Sequence, residues 1–313
     1  MALTVGVDVG GTKVLGGVVT ADGEIIETSR RPTPKDAEHT ARVIAEVVAE
    51  LAAKHEIEAV GIGAAGYVDA TRSVVLHAPN LAWRDEPLKA RIEALVNLPV
   101  VVENDANAAA WAEYRHGAGK GSSHLVMITV GTGIGGGIVL DGALYRGAFG
   151  VAAEFGHIQV VRDGLPCGCG GRGCFEQYCS GKALLRQAKA GAERDPDGAR
   201  RLLELAGGKS EDLQGQHVTQ AAHEGDPIAV AAFRSIAEVL GQGLCDLVFS
   251  LDPDRFVVGG GVAEAGDLLF VPAIAAYEKA VHERGRKQVA EIRPAALVNW
   301  AGLVGAADLA RVR

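Results

Sequence analysis

The chain has 313 residues, 48% of them hydrophobic, so it is long enough to bury a large core in one large or two modest domains. Its 31 basic and 39 acidic residues are mixed along the chain and give a net charge of −8, a balance that disfavours binding to nucleic acid or to an anionic membrane. No basic segment followed by an apolar core opens the sequence, and no uninterrupted apolar stretch reaches the length of a bilayer span, so we expect a cytoplasmic protein with neither nucleic acid nor membrane as a partner.

Two glycine-rich β-hairpins are predicted along the chain. In the first, residues 4–8 and 14–20 form strands around the turn Gly10-Gly11, and Asp22-Gly23 closes the second strand. In the second, residues 125–130 and 134–140 form strands around residues 131–133, and Asp141-Gly142 closes the hairpin. With 42 glycines in the chain, recurrence by chance is the alternative, but the matching order of four features argues against it. The repeat predicts a duplicated architecture.

Helical and strand patterns alternate between and after the hairpins. An apolar stripe over residues 43–51 predicts a helix, and residues 60–63 predict a short buried strand. Asp226-Pro227 supplies an N-cap and a first-turn proline for a long helix that runs to about residue 250. A strand at 256–258 and a helix at 267–283 follow, and the polar segment 193–216 is expected on the surface. These patterns predict an α/β protein.

Several glycine motifs imitate known nucleotide-binding sequences. Residues 61–66 and 131–136 both match G-x-G-x-x-G, but strand-like sequence follows each of them where a dinucleotide-binding fold requires a helix. Gly208-Lys209-Ser210 resembles the end of a P-loop, but Leu203 stands where that motif needs a glycine. Both classes of nucleotide site are therefore excluded.

A clamp made of two facing hairpins remains as the way to hold phosphate groups. Tight glycine turns let backbone N–H groups approach a phosphate closely. The first turn adds the hydroxyl of Thr12 and the ammonium of Lys13, and Asp8 at the strand end is suited to orient hydrated Mg²⁺. A structural bend is the alternative for one such turn alone, and the repeat favours the phosphate site.

The cysteines are concentrated in one segment. Cys167, Cys169, Cys174 and Cys179 fall within thirteen residues, a distribution typical of metal binding rather than of a disulfide scaffold, while Cys245 lies in an apolar helical pattern as a small buried residue. A structural zinc ion needs four such ligands, and either His157 or Cys179 completes the set with the other three cysteines. Unbound, reduced cysteines are the alternative.

Seven segments together resemble the ROK family of sugar kinases, within the superfamily of actin, Hsp70 and hexokinase, and most closely its bacterial glucokinases. The most specific motifs are Glu-Phe-Gly-His at 154–157 and the cysteine segment at 167–176, and the likeness covers nearly the whole chain. The other matching segments are residues 8–13 as the first phosphate loop, 103–107 as the segment with the catalytic aspartate, 131–137 as the second phosphate loop, 259–262 as the adenosine loop and 302–309 as the closing helix.

The resemblance implies an actin-like ATPase (ribonuclease H-like) fold, with two α/β domains around a cleft and a duplicated core. It implies a small domain over residues 1–107, joined by the C-terminal helix 301–313, and a large domain over 108–300 that carries the zinc-binding loop. The activity it implies is phosphorylation of glucose to glucose 6-phosphate with ATP, Mg²⁺ and a structural Zn²⁺. A homodimer or homotetramer also fits the family.

The resemblance also assigns roles to single residues. Asp105 is the expected general base on the 6-hydroxyl, and a helix N-cap is the alternative for this aspartate, because residues 106–112 are strongly helix-forming. The expected sugar-binding residues are Gly66, Asn104, Asp105, Glu154, His157 and Glu176. The expected nucleotide-binding residues are Asp8, Gly10, Gly11, Thr12, Lys13, Gly131, Thr132, Gly133, Gly260, Gly261 and Val262. The expected zinc ligands are His157, Cys167, Cys169 and Cys174.

Three other functions stay open at this point. The motifs do not fix the sugar, so fructose, mannose or an N-acetylhexosamine is an alternative acceptor, and polyphosphate is an alternative donor. A non-catalytic sugar sensor is a second alternative, which the presence of Asp105 disfavours. A sugar-responsive repressor is the third, and we expect no DNA-binding domain here because the first hairpin begins at residue three or four.

Overall fold

The computed structural model describes residues 3–78 and 81–312 of the chain. The strands are β1 Leu3–Val9, β2 Lys13–Val19, β3 Ile25–Pro32, β4 Ile57–Ala64, β5 Tyr67–Val68, β6 Val75–Ala78, β7 Trp83–Glu86, β8 Val100–Asn104, β9 Leu125–Val130, β10 Ile134–Leu140, β11 Ala143–Tyr145, β12 Arg255–Gly259 and β13 Glu291–Pro294. The helices are α1 Ala37–Ala52, α2 Leu88–Val96, α3 Asp105–His116, α4 Gly181–Arg194, α5 Arg200–Leu205, α6 Gly215–His223, α7 Pro227–Leu251, α8 Asp267–Glu283 and α9 Ala301–Arg311.

The first sheet has the strand order β3-β2-β1-β4-β8. β1 and β2 form the first predicted hairpin and pair antiparallel, whereas β1, β4 and β8 run parallel. Asp8 stands opposite Gly63, and Ala64 stands opposite Asn104, so Asp8 and Asn104 lie at the same carboxyl edge of the sheet. The carboxyl edge of parallel strands is where α/β folds place their ligands.

The second sheet has the order β11-β10-β9-β12-β13, which corresponds strand for strand to the first. β9 and β10 coincide with the second predicted hairpin, and β12 and β13 pair in parallel. A small sheet of order β5-β6-β7 follows β4 along the chain. The predicted α/β class and the predicted repeat of hairpins are therefore confirmed.

Helix α9 packs closely against the first sheet. A side chain at Gly6 would collide with the carbonyl of Leu303, and one at Gly61 would collide with the carbonyl of Ala306. The hydroxyl of Thr4 donates to the carbonyl of Ala307 at 2.9 Å. Glycine is required at both strand positions because the helix backbone lies directly on the sheet.

The long helices begin and end close to the predicted residues. Asp226 caps α7 by accepting hydrogen bonds from the N–H groups of Ile228 and Ala229, and Pro227 is its first residue. By length and composition α7 is long enough to cross a membrane, which the sequence analysis did not recognise, but 56% of its apolar window is buried inside the protein. Such burial is typical of the core helix of a globular protein.

The described chain forms two compact units. One contains the chain up to Met127, the segment Gly136–Ala153 and the C-terminal segment from Ala295, and the other contains Ile128–Gly135 and Glu154–Pro294. The predicted domain boundaries after residue 107 and before residue 301 stay a prediction.

Candidate active site

Asp105 is the first residue of α3 and directly follows β8. The preceding residue, Asn104, is the N-cap, and its side-chain oxygen accepts a hydrogen bond from the N–H of Asn107 at 2.9 Å. The alternative interpretation of Asp105 as the N-cap is therefore wrong. Since Asn104 satisfies the helix terminus, the Asp105 carboxylate is left for another role.

The side-chain amide of Asn104 fixes the position of two predicted site residues. It donates to the carbonyl of Gly66 at 3.0 Å and to Oδ1 of Asp105 at 3.2 Å. Gly66 has no room for a side chain, because a Cβ there would lie 2.5 Å from the carbonyl oxygen of His77. The structure thus brings Gly66, Asn104 and Asp105 together, as predicted.

Two acidic side chains influence each other at this edge of the sheet. Burial raises the pKa of Asp105 from 3.8 to about 6, and the negative charge of Asp8 contributes to the rise. Burial also raises the pKa of Asp8, although the ammonium of Lys13 partly opposes that change. A hydrated Mg²⁺ held at Asp8 fits this pair, since its charge would offset the repulsion between the two carboxylates.

Glu103 is a buried acidic residue to which the sequence analysis gave no role, and it fixes the position of Asn104. Glu103 is 2% exposed, and its Oε1 accepts from the N–H of Asn104 and from the side-chain amide of Asn107, both at 3.1 Å. Its Oε2 accepts from Nε of Arg146 at 2.6 Å. The acidic residue inside the segment at 103–107 was visible in the sequence, but its partner lies 43 residues further along the chain.

The first glycine turn forms the loop that was predicted to bind phosphate. The N–H of Gly10 donates to the carbonyl of Lys13 at 3.0 Å, and the hydroxyl of Thr33 donates to the carbonyl of Gly10 at 2.6 Å. Gly11 and Thr12 are exposed at the tip of the turn. Their backbone N–H groups and the Thr12 hydroxyl are therefore accessible to a phosphate group.

The second glycine turn and the adenosine loop line one cavity. The N–H of Gly131 donates to the carbonyl of Gly133 at 3.0 Å, and the N–H of Val262 donates to the carbonyl of Val130 at 3.0 Å. Gly260 has a φ of +87°, and a Cβ there would lie 2.6 Å from the Val130 carbonyl. The two loops are thus held together by their backbones.

This cavity has a volume of about 1000 Å³ and combines apolar walls with a few polar groups. Predicted nucleotide-binding residues at its rim are Gly131, Thr132, Gly261 and Val262. The sequence analysis missed its other walls, which come from the start of α4 and from one face of α6, namely Lys182, Leu184, Leu185, Gln216, Thr219, Gln220 and His223. Its size and apolar character suit the nucleoside part of a nucleotide.

Glu154, His157 and Glu176 lie at two short 3₁₀ turns. Glu154 precedes the turn Phe155–His157, and Glu176 lies in the turn Phe175–Gln177. The carboxylate of Glu176 also approaches the second phosphate loop, because a Cβ at Gly133 would lie 2.5 Å from its Oε2. A predicted sugar-binding carboxylate and the predicted phosphate loop are therefore neighbours.

His157, Cys167, Cys169 and Cys174 form a metal-binding group whose ligand atoms all lie within 4.8 Å of one another. Tetrahedral zinc with Zn–S bonds of about 2.3 Å places two sulfurs about 3.8 Å apart. The Sγ atoms of Cys169 and Cys174 are 3.7 Å apart, and Sγ of Cys167 lies 3.7 Å from Nδ1 of His157. The four residues therefore fit a structural zinc ion.

The local backbone supports this ligand set. Gly173 has a φ of +71°, and a side chain there would collide with the carbonyl of Val161. The N–H of Gly171 donates to Sγ of Cys169 at 3.4 Å, which stabilises a thiolate. Cys179, the rival fourth ligand, lies buried outside this group of four, so the choice of His157 agrees with the structure.

Comparisons with known proteins extend over the whole of this architecture. The chain is 52% identical over 311 residues to the glucokinase of Streptomyces coelicolor, with 99% of this chain and 98% of the relative covered. A ROK family glucokinase from Streptomyces griseus, solved in complex with glucose and AMPPNP, matches with a TM-score of 0.91 and 52% identity, and both chains are covered completely. The ROK hexokinase of Thermus thermophilus matches with a TM-score of 0.83 and 35% identity over 99% of this chain and 98% of that one.

These likenesses confirm the predicted fold class, the actin-like ATPase fold of the ROK sugar kinases. The ROK family profile matches residues 4–313, which is nearly the full length of the sequence. The chain belongs to the ROK family.

Proposed function

We propose that this protein is a glucokinase, which transfers the γ-phosphoryl group of ATP to the 6-hydroxyl of glucose. The observation that carries the proposal is the Asn104–Asp105 pair at the carboxyl end of β8, where Asp105 has a raised pKa and no role in capping its helix. The likeness to proteins named glucokinase at 52% identity supports the choice of glucose.

Asp105 is the proposed general base. Phosphoryl transfer needs the attacking hydroxyl aligned with the γ-phosphorus and one carboxylate to accept its proton. The sugar O6 forms a bond to phosphorus, the bond to the bridging oxygen of ADP breaks, and the hydroxyl proton passes to Asp105. With a pKa of about 6, Asp105 is mainly ionised at neutral pH and is a stronger base than an ordinary aspartate.

Sugar recognition is assigned to polar groups at fixed backbone positions. Asn104 is held by its bonds to Gly66 and Asp105, and Glu176 lies beside the zinc cluster with its Oε2 facing Gly133. Nδ1 of His157 faces Cys167, which leaves Nε2 as the nitrogen for a sugar hydroxyl. Glu154 is the further proposed acceptor. Such groups discriminate between sugars because a missing hydroxyl leaves a buried acceptor without a partner.

Donor binding is assigned to the two glycine loops and to the cavity beside the second. The N–H groups of the loops cradle phosphate oxygens, and the cavity takes the nucleoside. Mg²⁺ bound with ATP offsets charge on the transferred group. Asp8 is the proposed residue that orients the ion through its water shell.

A coupled assay of ADP formation with a panel of hexoses and donors tests the proposal. We expect turnover with glucose and ATP, and kcat/KM for glucose above the values for fructose, mannose and N-acetylhexosamines. Turnover with another hexose but not glucose would replace the acceptor and leave the base assignment in place. No turnover with any hexose, together with measurable sugar binding, would favour the non-catalytic sensor instead.

A broader hexokinase is the second candidate, because the Thermus thermophilus relative carries that name at 35% identity. In that case the same panel gives comparable kcat/KM values for several hexoses.

The phosphate donor is tested in the same assay by including polyphosphate. Activity with polyphosphate but not ATP would overturn the donor assignment. A homodimer or homotetramer and a cytoplasmic location stay predictions, which light scattering and cell fractionation test.

A further inference from the structure

The cavity beside the second phosphate loop has one strong cation among the described residues that line it. That residue is Lys182, at the start of α4, and the loop residues Gly131 and Thr132 line the same cavity. The two acidic residues in the lining are Glu224, which is ion-paired with Arg201, and Glu264. A nucleoside triphosphate carries several negative charges, so the positive charge of Lys182 favours its binding at this wall.

The backbone fixes the start of α4 against the phosphate loop. The N–H of Gly181 donates to the carbonyl of Gly131 at 2.7 Å, and a Cβ on Gly181 would lie 2.9 Å from that oxygen. The hydroxyl of Ser180, which is 1% exposed, caps the helix by accepting from the N–H of Ala183 at 3.2 Å. Lys182 therefore projects from a backbone segment that is bonded directly to the loop.

The ammonium of Lys182 is not committed elsewhere. Within the described residues it forms neither a hydrogen bond nor an ion pair, and the side chain is exposed. Lys189, seven positions later on the same helix, differs because its ammonium donates to the carbonyl of Glu211 at 2.7 Å. An unpaired cation beside glycine N–H groups is a suitable partner for phosphate oxygens, and a lysine acts there as a point charge.

We propose that Lys182 binds the phosphate groups of the donor nucleotide and thereby sets the affinity for ATP. The inference rests on the proposed function for the identity of the donor, and it assigns a binding residue beyond the glycine loops. Because Lys182 stands on the wall next to the second phosphate loop, its proposed role is in donor binding, and the proton transfer stays assigned to Asp105.

The test compares Lys182→Met with Lys189→Met, which removes an equivalent charge from the same helix. Steady-state assays with glucose and ATP should show a rise in KM for ATP of about fivefold for Lys182→Met, which corresponds to about 1 kcal/mol, the upper end of what an exposed ion pair contributes. We expect kcat and KM for glucose to stay within about twofold of the wild-type values. Lys182→Arg should restore most of the affinity, and Lys189→Met should behave like the wild type.

Direct binding separates this inference from the proposed function. Isothermal titration with ADP, without sugar, should give a similar rise in Kd for Lys182→Met, and the difference from the wild type should shrink as salt is increased. Lys182-dependent binding of ADP in a protein that phosphorylates no hexose would refute the proposed function and leave this inference standing. An unchanged KM for ATP and an unchanged Kd for ADP in Lys182→Met would overturn the inference, even in an active glucokinase.

Discussion

Replacing Asp105 with asparagine is expected to remove activity and to make the folded protein more stable. The amide keeps the size of the side chain and a hydrogen-bond acceptor for Asn104, but it cannot take a proton from the sugar hydroxyl. General-base catalysis contributes about 10²- to 10⁴-fold, so we expect kcat to fall by at least about 100-fold. KM for ATP should change by less than about threefold, because the donor loops are untouched.

The stability gain follows from the raised pKa. Burial and the charge of Asp8 raise the pKa of Asp105 from 3.8 to about 6, so the fold favours the protonated form. A tenfold change in an ionisation constant corresponds to about 1.4 kcal/mol, which gives a cost of up to about 3 kcal/mol for ionised Asp105 at pH 7. This cost is absent below pH 3.8 and complete above pH 6. Since the Asp105 side chain is partly exposed and water screens part of this cost, about 1–2 kcal/mol is the expected gain.

Urea unfolding at pH 7 and at pH 4 measures the gain, and the difference between Asp105→Asn and the wild type should nearly vanish at pH 4. The wild-type kcat/KM should fall tenfold per pH unit below pH 6, as the base becomes protonated. Asp22→Asn, in the exposed turn after β2, serves as the control and should change neither quantity. An active Asp105→Asn enzyme would refute the base assignment, and a less stable one at pH 7 would refute the electrostatic argument.

Three other substitutions test the surroundings of the site. Cys174→Ser should lower the zinc content to less than half an ion per chain by atomic absorption, because three ligands hold zinc weakly, whereas Cys245→Ala, outside the cluster, should keep about one ion. Glu103→Gln should lower kcat about tenfold with little effect on KM for ATP in steady-state assays, because Asn104 loses its buried anionic support. Asp308→Ala should lower the free energy of unfolding by about 2–3 kcal/mol in urea titrations, since this residue, 3% exposed, accepts bonds from Trp111 and from the half-exposed Arg115 of α3.

The hairpins and the long helices were predictable because their signals are local. Strand alternation, a glycine turn and a closing Asp-Gly all fall within about twenty residues, and β1, β2, β9 and β10 match the predicted strands to within two residues. The cap of α7 was equally local, since Asp226 and Pro227 adjoin the helix they start. Prediction of the zinc group depended on His157, which lies ten positions before the nearest cysteine. The family resemblance, and not a local pattern, identified it as the fourth ligand.

The supports of the site were not predictable in this way, because they join distant parts of the chain. Glu103 needs Arg146, and the cavity is built from two loops and two helices whose sequences carry no shared motif. The alternative interpretation of Asp105 as the cap of α3 was wrong for a different reason. Asn104 and Asp105 are both good capping residues, and the backbone decides between them, because Asn104 has extended angles of φ −63° and ψ 142°.

The zinc group bears on both substrates through one carboxylate. The thiol of Cys167 donates to Oε1 of Glu176 at 3.0 Å, and Oε2 of the same residue faces Gly133 in the second phosphate loop. A zinc-bound thiolate would have no proton to donate, so metal binding would leave Oε1 with only the 3.4 Å bond from Gln177 and open to a sugar hydroxyl. Metal removal would restore the thiol bond to Glu176 and engage a carboxylate that lies against the loop. Zinc loss should therefore raise KM for glucose and, through Gly133, KM for ATP, which distinguishes this cluster from one that only stabilises the fold.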